Sequence, residues 1–326
     1  MASGVLVFGE ATEDGRLHPV TPELIGVAQR LGLSPITCAL LGSGVEGLAK
    51  ECIEHGATKV IIVDDPLLAD YQSDAYVPVA ERIAREVDPA VALMGLTMQG
   101  RDLAPRLAQR LDTAVVMDCV AFEMKGDKLV AERPCYGGAA RAKYTINGTP
   151  QMATVRVKAQ EPAGRDASRQ GEIVKQAAGI GPDAVRTKII DRRKEKAAGV
   201  RLEDAKVVVS GGRGLGGPEG FQPLEELAAL LGGAVGASRA VCDLGWYPVA
   251  AQVGLTGKVV TPDLYIAVGI SGASQHMAGI STVKNIVAIN KDADASIFKS
   301  SRYAVVGDWK DIVPAFTEKV RELKSA

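Results

Sequence analysis

Short apolar runs alternate with longer amphipathic stretches along most of this sequence, and this alternation limits the fold more than any other feature. In the first half the predicted strands are residues 5–8, 36–41, 60–63, 91–94 and 114–119, with predicted helices at 22–31, 45–55, 77–87 and 101–111. Strands that alternate with helices form a parallel sheet covered on both faces. The sequence therefore predicts an α/β fold with a doubly wound parallel sheet.

The same alternation restarts in the second half. Strands are predicted at residues 207–209, 234–236, 264–268, 286–289 and 303–306, and helices at 223–231, from about His276, and at 313–323. A chain of 326 residues also exceeds the usual size of one hydrophobic core. We therefore predict two doubly wound parallel-sheet domains, residues 1–199 and 200–326.

Two stretches of the first domain depart from the alternation. Residues 129–133, 142–146 and 151–157 are predicted strands joined by turns at Gly137-Gly138 and Asn147-Gly148, and we expect them to add antiparallel strands to the first sheet. A basic cluster at residues 192–196 lies just before the predicted boundary. Such a cluster is either a docking patch or a solvated connector between domains.

Composition excludes several classes of protein. The 38 basic and 39 acidic residues give a formal charge of -1, which provides no bulk attraction to nucleic acid or to a membrane surface. The first residues lack the pattern of a signal peptide, and no apolar run reaches membrane-spanning length. The five cysteines contain no C-x-x-C pair, so neither a disulfide framework nor a zinc site is indicated. We expect a cytoplasmic protein.

In the second half, the predicted strands lead into small or polar residues. The segments that follow them are Ser210-Gly211-Gly212-Arg213-Gly214, Ala237-Ser238-Arg239, Ser271-Gly272-Ala273-Ser274-Gln275-His276, Asn290-Lys291-Asp292 and Gly307-Asp308. The carboxyl ends of parallel strands lie at one edge, where ligands of open α/β sheets bind. Glycines admit close backbone approach, and arginines bind phosphate oxygens in a fork. These segments predict a dinucleotide site.

Sequence motifs alone leave open which kind of dinucleotide-binding protein this is. Residues 212–217 match G-x-G-x-x-G, but Pro218 and Pro223 delay the following helix, and no acidic residue clearly ends a second strand about twenty positions on. No Gly-Lys-Ser/Thr follows, so a P-loop is excluded. The amides at the predicted helix start near His276 favour pyrophosphate, and His276 stands among glycines and serines. One alternative is an NAD-dependent oxidoreductase acting directly on a small substrate, and another is a non-redox nucleotide-binding scaffold.

Residues 264–276, Gly279 and residues 286–290 together resemble the signature of electron-transfer flavoprotein alpha subunits. Residues 209–215, 236–239, 252–258 and 308–324 are also similar to that family, and the first half carries looser matches at 133–134, 136–138 and 151–156. This resemblance implies that the C-terminal domain binds FAD and that the N-terminal domain packs on a beta subunit.

The resemblance also implies roles for individual residues. Arg213, Ser238, Ser271 and Gly272 correspond to contacts around the FAD phosphates, and Asn290 and Asp308 to positions near the adenosine. Around the isoalloxazine it places Arg239, Thr256 near N5 and His276 near O2. Further cofactor-binding positions implied by the match are Gln252, Val253, Gly254, Ser274 and Gln275. Leu255 and Ser274 differ from the glutamine and the isoleucine of many relatives, which leaves the flavin potential open.

The implied partner is a homologous beta subunit that holds AMP or a second FAD. With AMP, such a pair carries electrons from acyl-CoA dehydrogenases or similar donors to a quinone-linked acceptor. With a second FAD, it bifurcates electrons from NADH to ferredoxin or flavodoxin. Residues 136–138 and 151–153 resemble relatives from anaerobes, which favours the bifurcating type. The chain itself is then an electron carrier, with NADH-dependent oxidoreductase activity only in the bifurcating case.

Overall fold

A computed structural model describes residues 3–138, 140–187, 189–191 and 200–325. The chain forms two compact units, one of Met1–Pro134 with Arg141–Arg192 and one of Cys135–Ala140 with Arg193–Ala326. The predicted boundary at residue 199 and the basic cluster at 192–196 lie outside the described residues. The domain limits 1–199 and 200–326 stay a prediction. The pattern of the sequence did not indicate that Cys135–Ala140 groups with the second unit.

The first unit is built on a seven-stranded sheet. Its strands and helices are β1 (Val5–Gly9), α1 (Val20–Arg30), β2 (Ile36–Gly42), α2 (Ala49–His55), β3 (Lys59–Asp64), α3 (Ser73–Val87), β4 (Val91–Gly95), α4 (Met98–Arg110), β5 (Val115–Cys119), β6 (Ala121–Lys125), β7 (Lys128–Cys135), β8 (Ala140–Tyr144), β9 (Gln151–Val155) and β10 (Glu172–Lys175). The strand order is β10-β3-β2-β1-β4-β9-β5, and every neighbouring pair is parallel. The predicted parallel sheet is confirmed.

Both faces of this sheet are covered. On β1, Val5 and Val7 pack into the cluster that contains Leu24 of α1, whereas Leu6 and Phe8 pack into the cluster that contains Ile83 of α3. Successive side chains of a strand point to opposite faces, so a strand buried on both faces is apolar throughout. This is why these strands appear in the sequence as uninterrupted apolar runs.

The prediction of antiparallel additions to this sheet was wrong. β9 lies inside it, parallel to β4 and β5, with Val91 opposite Gln151. All five residues of β9 are buried, as a strand between two neighbours and two layers of helices requires. β6, β7 and β8 instead form a separate three-stranded sheet in which β6 and β7 are antiparallel. β6 and the edge strand β10 were not predicted.

A buried ion pair joins β5 to the segment after β9. The Nε of Arg156 donates to Asp118 Oδ1 at 2.8 Å, and Nη2 donates to Oδ2 at 2.7 Å. Asp118 has a φ of 66° where the β5–β9 register shifts, and its N–H donates to Thr154 Oγ1 at 2.9 Å. A bidentate pair of this kind satisfies a guanidinium that the fold has removed from water.

The second unit is built on a six-stranded sheet. Its elements are β11 (Val207–Gly211), α5 (Phe221–Leu231), β12 (Ala234–Ser238), α6 (Arg239–Asp243), β13 (Gln252–Val253), β14 (Leu264–Val268), α7 (Ser274–Ala278), β15 (Ile286–Asn290), β16 (Tyr303–Val306) and α8 (Trp309–Ser325). The order is β13-β12-β11-β14-β15-β16, again with parallel neighbours throughout. The strand order reverses between β11 and β14, which makes this pair the switch point of the sheet.

Helices α5 and α8 cover one face of this second sheet. Val209 of β11 packs with Leu224 of α5 and Val313 of α8, whereas Val208 and Tyr265 belong to the cluster on the opposite face. The predicted second doubly wound unit is therefore confirmed.

Within the described part of the chain, no helix has both the length and the apolar character needed to span a membrane.

Replacing Asp118 with asparagine should destabilise the first unit. Asparagine tolerates the left-handed backbone conformation but removes the carboxylate that pairs with Arg156. Because Asp118 is partly exposed, we expect a loss of about 2–3 kcal/mol in the free energy of unfolding, at the lower end for a broken buried pair. Urea denaturation followed by circular dichroism measures it. Asp14→Asn, at the exposed pair with Arg16, should have a much smaller effect, because an exposed ion pair contributes little to stability. Equal effects of the two changes would contradict this account.

The buried carboxyl of Glu10 should make the stability of the first unit depend on pH. Thr97 Oγ1 donates to Glu10 Oε1 at 2.8 Å, and burial raises the pKa of Glu10 to about 7. Between pH 4.5 and 7 the folded chain then holds a proton that the unfolded chain has lost, so stability falls as the pH rises through this window. We expect Glu10→Gln to remove about 3 kcal/mol of this decline, measured by urea denaturation from pH 4.5 to 8. Parallel profiles for the two proteins would contradict the assignment.

Candidate functional site

The loops that leave β11 and β14 approach each other closely at the switch point. The N–H of Gly212 donates to the Val268 carbonyl at 2.9 Å, and that of Gly214 to the Gly269 carbonyl at 3.0 Å. A Cβ atom added to Gly212 would lie 2.3 Å from the Gly269 oxygen, and Gly269 itself has a φ of 64°. Only glycine permits this approach. The two loops thus form a backbone cradle without side chains.

A cleft of about 150 Å³ lies beside this cradle at the carboxyl edge of β14, β15 and β16. Asn290, Asp308 and Trp309 line it together with Gly214 and Gly269. Asn290 Nδ2 donates to the Ile270 carbonyl at 3.0 Å, and Asp308 Oδ1 accepts the N–H of Lys310 at 3.0 Å. The two residues predicted near the adenosine therefore share one cleft, and each also holds the backbone around it.

Trp309 was missed in the sequence, although it directly follows Asp308 at the end of a predicted strand. The pattern placed the last helix at residues 313–323, whereas α8 begins at Trp309. The same reasoning on strand ends that selected Asp308 would have found Trp309, had the segment been extended by one residue.

Arg213 and the turn after β14 supply the positions predicted to bind phosphate. Arg213 begins a short 3-10 turn, Arg213–Leu215, and its side chain is exposed. Within the described residues, no acidic side chain forms an ion pair with Arg213. Gly272 has a φ of 86°, and an added Cβ would lie 2.4 Å from the Ile297 nitrogen, which donates to the Ser271 carbonyl at 3.0 Å. This turn is fixed, and Ser271 is exposed on it.

Ser238, predicted near the FAD phosphates, and the residues predicted around the isoalloxazine lie on the other side of the switch point. Ser238, which ends β12, lies in register with Val253 of β13. The next loop meets the start of α7, because the N–H of Leu255 donates to the Gln275 carbonyl at 2.8 Å and Gly254 passes close to the same oxygen. The structure therefore brings the Ser238 strand end, the loop after β13 and α7 together.

The side chains of this second group differ in their exposure. Arg239 begins α6 with 66% of its side chain exposed, and its Nε lies 3.3 Å from Asp243 Oδ2. Thr256 Oγ1 accepts a hydrogen bond from Gln252 Nε2 at 3.0 Å. Gln252 and Val253 are buried, so their side chains face the interior. Arg239 and Thr256 are exposed at the edge of the sheet.

The residues at and beside the start of α7 divide in the same way. Ser274 and Gln275 are exposed, and the Ser274 hydroxyl donates to Gln275 Oε1 at 3.3 Å. Leu255, whose backbone contacts Gln275, has 64% of its surface exposed. An exposed apolar side chain thus stands at the position where the resemblance found in the sequence implies glutamine.

His276 is buried, unlike its neighbours on α7. Only 7% of its surface is exposed, and its Nε2 lies 2.9 Å from the hydroxyl of Tyr265, a fully buried residue of β14. Burial lowers the pKa of His276 to about 4, so the ring is neutral at pH 7. Its Nδ1 is also buried, and the Val253 backbone forms a hydrogen bond with the ring. The ring is therefore held inside the fold between β14 and β13.

Two family models match the chain. Residues 5–180 match the Electron transfer flavoprotein domain, and residues 201–281 match the Electron transfer flavoprotein FAD-binding domain. The chain belongs to the electron transfer flavoprotein alpha-subunit family. This confirms the resemblance found in the sequence and supports flavin binding by the second unit.

Full-length relatives agree with this assignment. The chain is 44% identical over 326 residues to Electron transfer flavoprotein subunit alpha of Thermoanaerobacterium thermosaccharolyticum, covering 98% of each chain. It is 43% identical to the subunit of the same name in Bacillus subtilis, covering 99% of each. It is 42% identical to Protein FixB of Clostridium saccharobutylicum, covering 99% of this chain and 98% of that protein.

The residues of the second unit fit FAD on three observations. The glycine cradle holds two loops together at the carboxyl edge of the switch-point strands, where open α/β sheets bind dinucleotides. The exposed Arg213 provides a cation within this cradle. The exposed Ser271 provides a hydroxyl on the fixed turn after β14. Cradle, cation and hydroxyl all lie within residues 201–281, the span of the FAD-binding match.

An alanine in the cradle should weaken FAD binding. Gly212→Ala places a Cβ against the Gly269 carbonyl and forces the loops apart, at a cost of about 1–3 kcal/mol. We expect the affinity for FAD to fall by about 10- to 100-fold, measured by titration of flavin fluorescence. Gly47→Ala is the matched control, because an added Cβ there meets nothing within 4 Å. Unchanged affinity in Gly212→Ala, with the far-ultraviolet circular dichroism of the wild type, would contradict the role of the cradle.

Proposed function

We propose that this chain is the FAD-holding subunit of a heterodimeric electron transfer flavoprotein. In this role it takes electrons from a flavoprotein dehydrogenase, such as an acyl-CoA dehydrogenase, and passes them to a quinone-linked or other acceptor. The observation that carries the proposal is the glycine cradle at the switch point of the second sheet, with polar and cationic residues on either side. When bound, FAD supplies the reversible uptake of electrons, and the protein supplies binding and electrostatics.

The side chains near α7 suit a cofactor that becomes more negative on reduction. Arg239 presents an exposed guanidinium at the edge, and it pairs with Asp243, one turn along α6, at 3.3 Å from Nε. His276 stays neutral, so it contributes no charge. A cation and aligned donors stabilise developing negative charge, and a hydrogen bond to a charged group contributes about 1.5–3 kcal/mol. These residues would raise the potential of the bound flavin.

The proposed partner is a beta subunit that packs on the N-terminal domain, residues 1–199. We further propose that the pair works in the cytoplasm and that the beta subunit holds AMP or a second FAD. With a second FAD, the pair would bifurcate electrons from NADH to ferredoxin or flavodoxin. The resemblance of residues 136–138 to relatives from anaerobes supports this second candidate.

Co-purification of this chain with a candidate beta subunit from a neighbouring reading frame tests both levels of the proposal. Flavin absorbance per heterodimer, together with nucleotide analysis after denaturation, should give at least one FAD. One FAD with AMP supports a simple carrier, and two FAD support bifurcation. A heterodimer without flavin after reconstitution would favour the scaffold alternative. Rapid turnover of a small substrate with NAD by the isolated chain would favour a dehydrogenase.

Replacing Arg239 with alanine should make the flavin harder to reduce. Removal of an exposed cation that stabilises the reduced form costs about 1.5 kcal/mol, which lowers a two-electron potential by about 30 mV. Equilibrium titration against a redox dye measures this shift. Arg302→Ala is the control, because Arg302 directly precedes β16 and therefore lies at the opposite, amino end of the strands. An unchanged potential in Arg239→Ala would remove Arg239 from its proposed role.

A further inference from the structure

Strand β16 forms an outer edge of the second sheet. Among the strands that the structure describes, it pairs only with β15, in an unbroken register over its four residues. The N–H of Arg302, just before the strand, donates to the Ile286 carbonyl of β15 at 2.8 Å. Because successive residues of a strand direct their N–H and C=O groups to opposite sides, Tyr303 and Val305 direct theirs away from β15.

β16 lacks the features that protect the other edges of the two large sheets. β10 carries charged residues at its two ends, Glu172 and Lys175, β5 has a register shift, and β13 has only two residues. Charges, bulges and short length keep an edge from pairing with another strand. Residues Tyr303–Val306 contain no charge, proline or bulge, and Tyr303 and Val306 have 61% and 58% of their surface exposed. The edge is therefore open to a further strand.

Helix α8 lies beside this edge and extends its apolar surface. Val305 packs with Trp309 at the start of α8. Phe316 and Leu323 have 37% and 69% of their surface exposed, and their spacing of two helical turns places them on one side of the helix. Arg321 Nη2 donates to a glutamate of α5 at 2.6 Å, and Arg321 lies roughly 140–160° around α8 from both residues. Phe316 and Leu323 therefore lie on the side of α8 that is turned away from α5, next to β16.

The sequence of this edge is complementary to itself. In an antiparallel pair of two β16 strands centred on Val305, Tyr303 lies opposite Gly307 and Arg302 opposite Asp308 of the other copy. The two Val305 residues, whose backbone groups point outward, then exchange both of their N–H···O bonds. An aromatic side chain covers a glycine on the neighbouring strand, and opposite charges face each other. Hydrogen bonding, side-chain size and charge thus agree on one register.

The two outer charges are not already used in an ion pair within the described residues. Arg302 Nη1 donates to the neutral side chain of Asn285, at 2.7 Å from Oδ1, and Asp308 Oδ1 accepts the N–H of Lys310 at 3.0 Å. Since Arg302 and Asp308 are both exposed, an ion pair between two copies fixes the register more than it adds affinity.

We propose that β16 and the outer side of α8 form a self-association surface, on which a second copy of this chain binds about a two-fold axis. The six-stranded sheets of the two copies then continue into each other through β16. Such an interface is isologous, because both copies use the same residues. The strand pair, about 13 Å long, is too small for the roughly 1,200 Å² that a stable interface buries, so the Phe316–Leu323 side of each α8 supplies the remainder.

Sedimentation velocity of the full-length chain measures this association. We expect the wild type to be a dimer at about 10 µM and above. Ala304→Lys changes an exposed position of β16 that faces Val306 of the other copy, and it should raise the Kd by about 100-fold or more, because a lysine on an edge strand opposes pairing. Arg302→Glu, which places two acidic residues opposite each other, should raise the Kd by about tenfold.

Ile173→Lys is the matched control, because it adds the same charge at an exposed apolar residue of another edge strand, β10. It should leave the Kd unchanged. A wild type that stays a single chain at about 100 µM overturns the proposal. So does a Kd that Ala304→Lys and Arg302→Glu leave unchanged, or that Ile173→Lys raises equally, in variants with the circular dichroism of the wild type.

Cysteine cross-linking tests the register. Val305→Cys places the two introduced thiols in a directly opposed pair, whose Cα atoms are about 5.5 Å apart and within reach of a disulfide. Tyr303→Cys is the control, because its two copies are offset by about 13 Å along the strands. Mild oxidation with diamide should link Val305→Cys into dimers and leave both Tyr303→Cys and the wild type as single chains. Linking of Tyr303→Cys, or no linking of Val305→Cys, overturns the antiparallel pairing.

The same measurements on the complex with a candidate beta subunit distinguish the two occupants that this edge could have. A particle with two copies of each subunit, linked in Val305→Cys, supports the proposal. A particle with one copy of each, in which Val305→Cys is no longer linked, assigns the edge to the beta subunit and overturns it. If the chain is obtained only with its beta subunit, this complex decides alone. Neither result depends on flavin, so the proposed function fails separately, through a complex that holds no FAD.

Discussion

The close approach of two backbone loops at the switch point of the second sheet is the constraint on which the candidate site depends. Gly212 and Gly214 donate to the carbonyls of Val268 and Gly269, at distances that leave no space for a side chain. This contact exists because β11 and β14 are adjacent parallel strands whose next connections run in opposite directions. The sheet therefore determines where the cradle lies, and the glycines determine that it can be built from backbone alone.

The cradle separates two groups of residues with different chemistry. Asn290 and Asp308 line a cleft on one side, where their side chains also hold loops in place. On the other side stand an exposed cation, Arg239, and a neutral buried histidine, His276. Under the proposed function, the first side anchors the nucleotide end of the cofactor and the second adjusts its electron affinity. The division follows the strand order, since β15 and β16 lie on one side of β11 and β12 and β13 on the other.

The sequence predicted what depends on local periodicity and missed what depends on pairing across the chain. The buried strands were found to within a few residues because burial on both faces leaves a continuous apolar run. β9 was expected to be antiparallel, since glycine turns near it suggested hairpins and no local signal shows which strand a segment will join. His276 was selected for its neighbours, but its burial and its bond to Tyr265 arise from the packing of α7 on β14, which spacing alone does not reveal. The short strand β13 was missed for the same reason.

The grouping of Cys135–Ala140 with the second unit means that neither unit is one continuous stretch of polypeptide. The chain leaves the first unit after Pro134, returns at Arg141 and leaves it again near residue 192. The turn Tyr136–Gly138 lies beside α7, with Gly138 next to Ser281. A gene fragment that starts near residue 200 would thus encode a flavin domain missing six of its own residues. If related genes exchanged the segments that encode the two units, Cys135–Ala140 would stay with the first unit in sequence although it belongs to the second unit in space. The two units are therefore expected to evolve together.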